Sequence, residues 1–254
     1  MTDTPRVLVG GVSELFQRDL DLGRLAVERL LGEDLGPGVL VEELHYGAVA
    51  VAQRLEDLQP GLLVLVSAVV RDRPPGTVER RRLDPPMLDT ATVQLAVGDA
   101  VTGYVHPDLV VEIATAFGHL PPRTVAIEVE PEQTGSGEGL SPLAAAGLED
   151  ALDLVRTEVR RAPVLALADE LRALIRGDRL EESTALVALR LLLDQLVLLD
   201  REGRWGRTFA LRDRFILGIT EGASSEGMDH RDWALWWALI EELNRVEAAE
   251  GVLS

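Results

Sequence analysis

The segment GLLVLVSAVV, residues 61–70, carries Ser67 as its one polar side chain and no charge. So short and apolar a run reads as a strand covered on both faces, the centre of a parallel sheet with helices above and below. Parallel strands need helical crossovers, and the flanks supply them. RVLVGGV is a buried strand, followed by a helix over 23–31 whose stripe holds Leu25, Ala26, Leu30 and Leu31. GVLVEEL (38–44) is the next strand and 48–58 the next helix. PPGTVERRRL sets a Pro-Pro-Gly turn before an alternating edge strand. Its Arg80, Arg81 and Arg82 read as solvated charges guarding the edge, with a grip on a carboxylate as the other reading. Pro107 opens a helix to 117, RTVAIEVEP is a strand, and Ser141 with Pro142 caps and starts a helix to about 159. The alternation predicts an α/β, doubly wound, mostly parallel sheet. Such sheets bind ligands beyond the carboxyl ends of their strands, where Glu14 to Asp21, Ser67 and the 103–106 loop converge.

After residue 161 the pattern is helical throughout: 165–176, 181–201, 209–219 and 229–249, broken at RGDR, REGRWGR and EGASSEGM. The expected organisation is an α/β domain over 1–161 and an all-α domain over 162–254. In the second of these helices Leu186, Leu189, Leu193, Leu196 and Leu199 or Asp200 trace one stripe. The last contains DWALWWALIEEL, with Trp233, Trp237, Ile240 and Asn244 on one face. Trp233, Trp236 and Trp237 read first as core between helices. Three such rings cannot all point inward, so one is a candidate anchor for a partner protein.

Charge narrows the function classes. With 43 acidic against 25 basic residues the net charge is −18, which opposes nucleic acid and anionic membranes. No cysteine is present, so thiolate catalysis and cysteine-held zinc or iron–sulfur sites are excluded. All basic residues are arginine, which excludes a lysine Schiff base. MTDTPRVLVGG has no basic region followed by a long apolar stretch, and ALVALRLLLDQLVLLD is too short and charged to span a bilayer. The expected setting is cytoplasmic, without membrane insertion.

Four motifs in order carry a family resemblance. GVSELFQRDLDLGRLAVERL has the strand, turn, acid, glycine and helix spacing, with Asp19 on the first acid and Gly23 on the last glycine. LVLVSAVVRDRPPGTV has the central strand and the Pro-Gly-Thr turn. FGHLPPRTVAIEVEPEQTGSGEGLSPLAAAGLEDALDLV has the proline-arginine entry, the strand ending in Glu-Pro and the GLSP helix start. Over roughly 5–160 the chain resembles the hydrogenase maturation proteases, endopeptidases that trim the C-terminus of nickel–iron hydrogenase large subunits. The resemblance implies a phosphorylase/hydrolase-like α/β fold, here with a helical extension. It also implies three metal-holding positions, which fall on Leu20, Ser67 and Gly103. Leucine and glycine side chains offer no donor, and a neutral hydroxyl is a poor one for a divalent transition ion. The resemblance also implies an asparagine in the turn after the first strand, and Glu14 stands in its place here.

The expectation is therefore a divergent member with no metal at the family positions and no cofactor. Nickel or zinc enters only through a relocated set drawn from Asp19, Asp21, His45 and His106. Each of these also has a structural reading: His106 caps the helix at Pro107, His45 packs at a strand end, and an acid such as Asp19 suits a helix start. Glu14 and Asp19 are the catalytic candidates, Glu14 as a general base to water. The expected role is processing or assembly of a nickel–iron hydrogenase large subunit, with that subunit or another maturation protein as partner and proteolysis impaired or absent. The alternatives are an active endopeptidase with a rearranged site and a small-molecule hydrolase on the same scaffold.

Overall fold

A computed structural model describes residues 7–101, 105–177, 184–222 and 230–251. The chain divides into two compact units, Met1–Val159 and Arg160–Ser254. In the first, β1 (Val7–Gly11), β2 (Val39–Glu43), β3 (Leu62–Ala68), β4 (Val78–Leu83) and β5 (Arg123–Val129) form one sheet in the order β2-β1-β3-β5-β4. All neighbours are parallel except β4, which pairs antiparallel with β5 at the edge. All seven residues of β3 are buried, as its unbroken apolar run requires.

Period-two alternation assigns the two faces. Leu8, Leu63 and Leu65 point into a cluster with α2 (Ala48–Leu58), α3 (Thr90–Val101) and α4 (Pro107–Ala116). The opposite face carries Val9, Val64 and Val66, in register with Val125 and Ile127. Here α1 (Leu22–Leu30) lies directly on the sheet. A Cβ at Gly11 would sit 2.2 Å from the Gly23 carbonyl oxygen, and one at Gly23 2.4 Å from that of Val12. The two glycines let the start of α1 touch the strand end backbone to backbone. On the same face α5 (Pro142–Gly177) approaches β5, where a Cβ at Gly147 would meet Val129 at 2.7 Å.

Three local expectations need correction. Helix α3 was not foreseen, because its apolar residues spread around the helix instead of marking one stripe. The break expected between 159 and 165 is absent, and α5 runs through Pro163. Proline there costs a hydrogen bond, on the order of 3 kcal/mol, but Ala162, Val164 and Leu165 are all buried and their packing holds the helix. The arginines of β4 are not a solvated guard either. Arg80 pairs with buried Glu158 at 2.9 Å, Arg81 with buried Glu128 at 2.8 Å, and Arg82 donates to the Thr124 and Pro122 carbonyls. Buried carboxylates beside the strand draw Arg80 and Arg81 in.

In the second unit α6 (Thr184–Arg201), α7 (Gly206–Gly222), α8 (His230–Gly251) and residues 164–175 of α5 share one core. The stripe Leu186, Leu189, Leu193 and Leu196 is buried as expected. On α8 the buried face holds Trp236, Leu239, Ile240, Leu243 and Val246, not the face read through Trp237 and Asn244. Trp237 is exposed, and the Trp233 side chain lies outside the described residues. Trp205 is buried under the Arg161 guanidinium, 4.8 Å above its ring, and donates to the buried Asp200 carboxylate at 3.1 Å. Among the described residues no helix is long and apolar enough to cross a membrane.

Candidate functional site

From β1 the chain steps to β2 on one side and then to β3 on the other, so the crevice between β1 and β3 is the switch point of the sheet. A pocket of about 130 Å³ lies there, lined by Glu14 after β1, Leu20, Ser67 and Val69 at the end of β3, and His106 before α4. Three sequence candidates thus meet: Glu14, Ser67 and His106. Gly103 lies outside the described residues. The Ser67 hydroxyl is buried without a hydrogen-bond partner.

The loop that brings Glu14 and Leu20 to the pocket closes on itself, the Glu14 amide donating to the Leu20 carbonyl at 3.1 Å. Asp19 locks it. Its fully buried carboxylate accepts from the Glu132, Gln133 and Ser141 amides at 2.9, 2.8 and 2.6 Å and from the Ser141 hydroxyl at 2.8 Å. Burial pushes this carboxyl up, but the bonds from Ser141, Gln133 and Glu132 outweigh it and hold the carboxyl below the usual range. Ser141 Oγ also accepts from the Ala144 amide at 3.2 Å, so one carboxylate fixes both the loop and the capped start of α5. The Asp19 carboxylate is shut off from solvent, and its four hydrogen bonds hold it inside the protein. The cost appears in the loop backbone, where Phe16 and Arg18 sit at φ 60° and 46°. Positive φ at so bulky a residue as phenylalanine is rare, and Phe16 is exposed beside a second cleft with Leu15, Asp21 and Arg24.

The other relocated candidates do not gather. Asp21 is held by Arg24 through bonds of 2.7 to 3.0 Å and faces that second cleft. His45 sits after β2, its Nδ1 3.1 Å from a Glu43 carboxylate oxygen but without hydrogen-bond geometry. His106 caps α4, its Nδ1 accepting from the Asp108 amide at 3.3 Å. Burial is the main cause of its lowered pKa, and Arg71 adds to it against Asp108. The ring is thus neutral, with Nδ1 engaged. Among the described residues no group of three His, Asp or Glu side chains is placed to hold one ion. Among the described residues the donors at the pocket, one carboxylate, one hydroxyl and one capping imidazole, do not fit a divalent metal centre.

One network escaped the sequence reading. Glu128, wholly buried in β5, accepts from Arg71 at 2.8 Å, Arg73 at 3.3 Å and Arg81 at 2.8 Å. Arg71 also reaches Asp108 at 2.9 Å, tying the end of β3 to the start of α4 and so to His106. The signal was there: a lone acid in an apolar strand needs cations, and RDR follows the central strand.

No family model matches the chain, and neither does any curated protein sequence. Solved structures do. The hydrogenase maturating endopeptidase HybD from E. coli is 26% identical, with 62% of this chain and 93% of that one covered at a TM-score of 0.44. An endopeptidase from Escherichia coli gives 24% identity, 61% and 92% coverage and a TM-score of 0.46. A hydrogenase 2 maturation peptidase from a Thaumarchaeota archaeon gives 23%, 59% and 95%, and 0.42. Solved hydrogenase maturation peptidases are therefore what this chain is similar to, over about three fifths of its length.

Proposed function

We propose that the chain acts in maturation of a nickel–iron hydrogenase large subunit, as a peptidase-like protein that engages the subunit without a metal centre of its own. The observation that carries this reading is the switch-point pocket, where Leu20 and Ser67 stand at two of the positions the resembled family uses for metal and the neighbouring Asp19 carboxylate is buried in four hydrogen bonds to Glu132, Gln133 and Ser141. The order of the four motifs supports the pathway. A second reading, an active endopeptidase with a rearranged site, draws on Glu14 and His106 lining one pocket, Glu14 then activating water.

The test is incubation of the purified chain with the large-subunit precursor, followed by intact-mass measurement. The expected outcome is a co-eluting complex in which the precursor keeps its C-terminal extension. Release of the extension, abolished by Glu14→Gln, would establish the second reading. Failure to co-elute, with no cleavage, would remove the pathway assignment. Calorimetry with nickel or zinc is expected to give no saturable heat, and tight binding would overturn the metal-free reading.

A further inference from the structure

Carboxylates outnumber arginines 43 to 25 in this chain, so an arginine left without an acid is unusual. Among arginines whose side chains are described, Arg207 and Arg214 alone have a guanidinium with no hydrogen bond or ion pair. Both lie on α7, and both line a cleft of about 450 Å³ between α6 and α7. Seven residues separate them, two helical turns, so they stand on one face about 10 Å apart along the axis. Between them on that face are Ala210 and Leu211, and across the cleft is Leu198, which is 44% exposed. The nearby Arg204 is paired with Glu202 at 2.9 Å and adds no free charge. In a chain of net charge −18, the cleft is a locally positive, leucine-floored groove.

We propose that this cleft docks an acidic amphipathic helix of a partner protein. Two carboxylates two turns apart meet Arg207 and Arg214 as forked ion pairs, and a leucine-sized side chain between them covers Leu198 and Leu211. The spacing selects a helix, because positions i and i+7 on the partner reproduce the separation of the two guanidinium groups while i+3 and i+4 present the apolar group. A bare phosphate or nucleic acid would satisfy the arginines but leave the leucines wet. The inference is independent of the pocket in the α/β unit and of the role proposed for it.

Salt dependence does not discriminate here, since salt weakens the local pairs while also screening the overall repulsion between an acidic chain and an acidic ligand. Charge exchange does. The probe is a fluorescein-labelled synthetic helix with Glu at i and i+7 and Leu at i+3 and i+4, titrated with the full chain by anisotropy, beside a counterpart with Lys at i and i+7. The Glu helix is expected to bind and the Lys helix not. The double variant Arg207→Glu/Arg214→Glu should lose the Glu helix by at least about tenfold and gain the Lys helix, and Leu198→Ser should weaken both pairings. An acidic chain attracts a cationic helix even without a groove, so the gain of the Lys helix must itself be reduced by adding Leu198→Ser to the double variant, and a gain that Leu198→Ser leaves untouched would overturn the proposal. Equal binding of both helices, or Glu-helix binding untouched by the double variant, would overturn the proposal. So would absence of peptide binding alongside arginine-dependent self-association in sedimentation, which assigns the cleft to a second copy, or tighter binding of inorganic pyrophosphate than of the Glu helix.

Discussion

The Asp19 carboxylate accepts four hydrogen bonds from groups 113 to 122 residues further along the chain, in a site from which solvent is excluded. An isosteric carboxamide would place an N–H₂ against some of these donors and lose the charge as well. Asp19→Asn is expected to lower unfolding free energy by about 3 kcal/mol near neutral pH in urea titrations. The pH dependence follows from the direction of the shift. The folded-state pKa lies below that of the unfolded chain, so the unfolded chain takes up the proton first on acidification. The stabilisation is complete above about pH 4 and disappears as the pH falls through the folded-state value. The gap between parent and variant should stay constant from about pH 5 to 8 and close in stronger acid; a gap that widened there would contradict the assignment. Leu20, one residue on, reverses the polarity: it half-buries an aliphatic group in the switch-point pocket, where water or an ion would need a donor.

At the scale of elements, α4 shows how a cap and a pocket wall can be one residue. His106 accepts from the Asp108 amide only while Nδ1 is unprotonated. Its pKa is lowered, chiefly by burial and further by Arg71, and Asp108 and Glu128 oppose the shift without cancelling it. Protonation therefore favours the unfolded chain: stability is complete above about pH 6.5 and falls as the pH drops toward the folded-state value. His106→Asn keeps a good cap without titrating. It should leave the melting temperature near neutrality little changed and flatten its decline toward about pH 5, read by circular dichroism. An unaltered decline would show that other groups carry it. The cap was legible in the HPD triplet, as were the central strand in its apolar run and the start of α5 in Ser141-Pro142, because each signal lies within a few residues. What was not legible joins distant segments. Arg80 finds Glu158 across 78 residues, and Asp19 finds Ser141 across 122. No local period encodes such pairings, so Asp19 read as a possible ligand and the β4 arginines as solvated. The continuity of α5 through Pro163 was hidden for the same reason, since packing from other helices decides it.

Over the whole molecule, 25 arginines cannot neutralise 43 carboxylates, and at least 18 acids stay uncompensated even if every arginine is paired. Their mutual repulsion is smaller in the expanded chain than in the folded one, so it subtracts from stability at low ionic strength. Added salt has two opposite effects: it relieves this repulsion and it weakens exposed ion pairs. The second effect is limited, because the pairs with most structural consequence involve buried partners, Glu128 and Glu158 among them, which salt screens poorly. Exposed pairs such as Arg29 with Glu149 contribute about 0–1 kcal/mol each. Relief of repulsion should therefore win. Raising sodium chloride from about 20 mM to about 500 mM, where the Debye length falls to a few ångströms, should raise the melting temperature by about 3–5 °C. Mild acidification to about pH 5.5 relieves little of this repulsion, since ordinary carboxylates remain ionised there. A melting temperature that fell with salt would mean that ion pairing, not net repulsion, dominates the electrostatics of this chain. The exposed pairs on α1 and α5 would then be the first to remove.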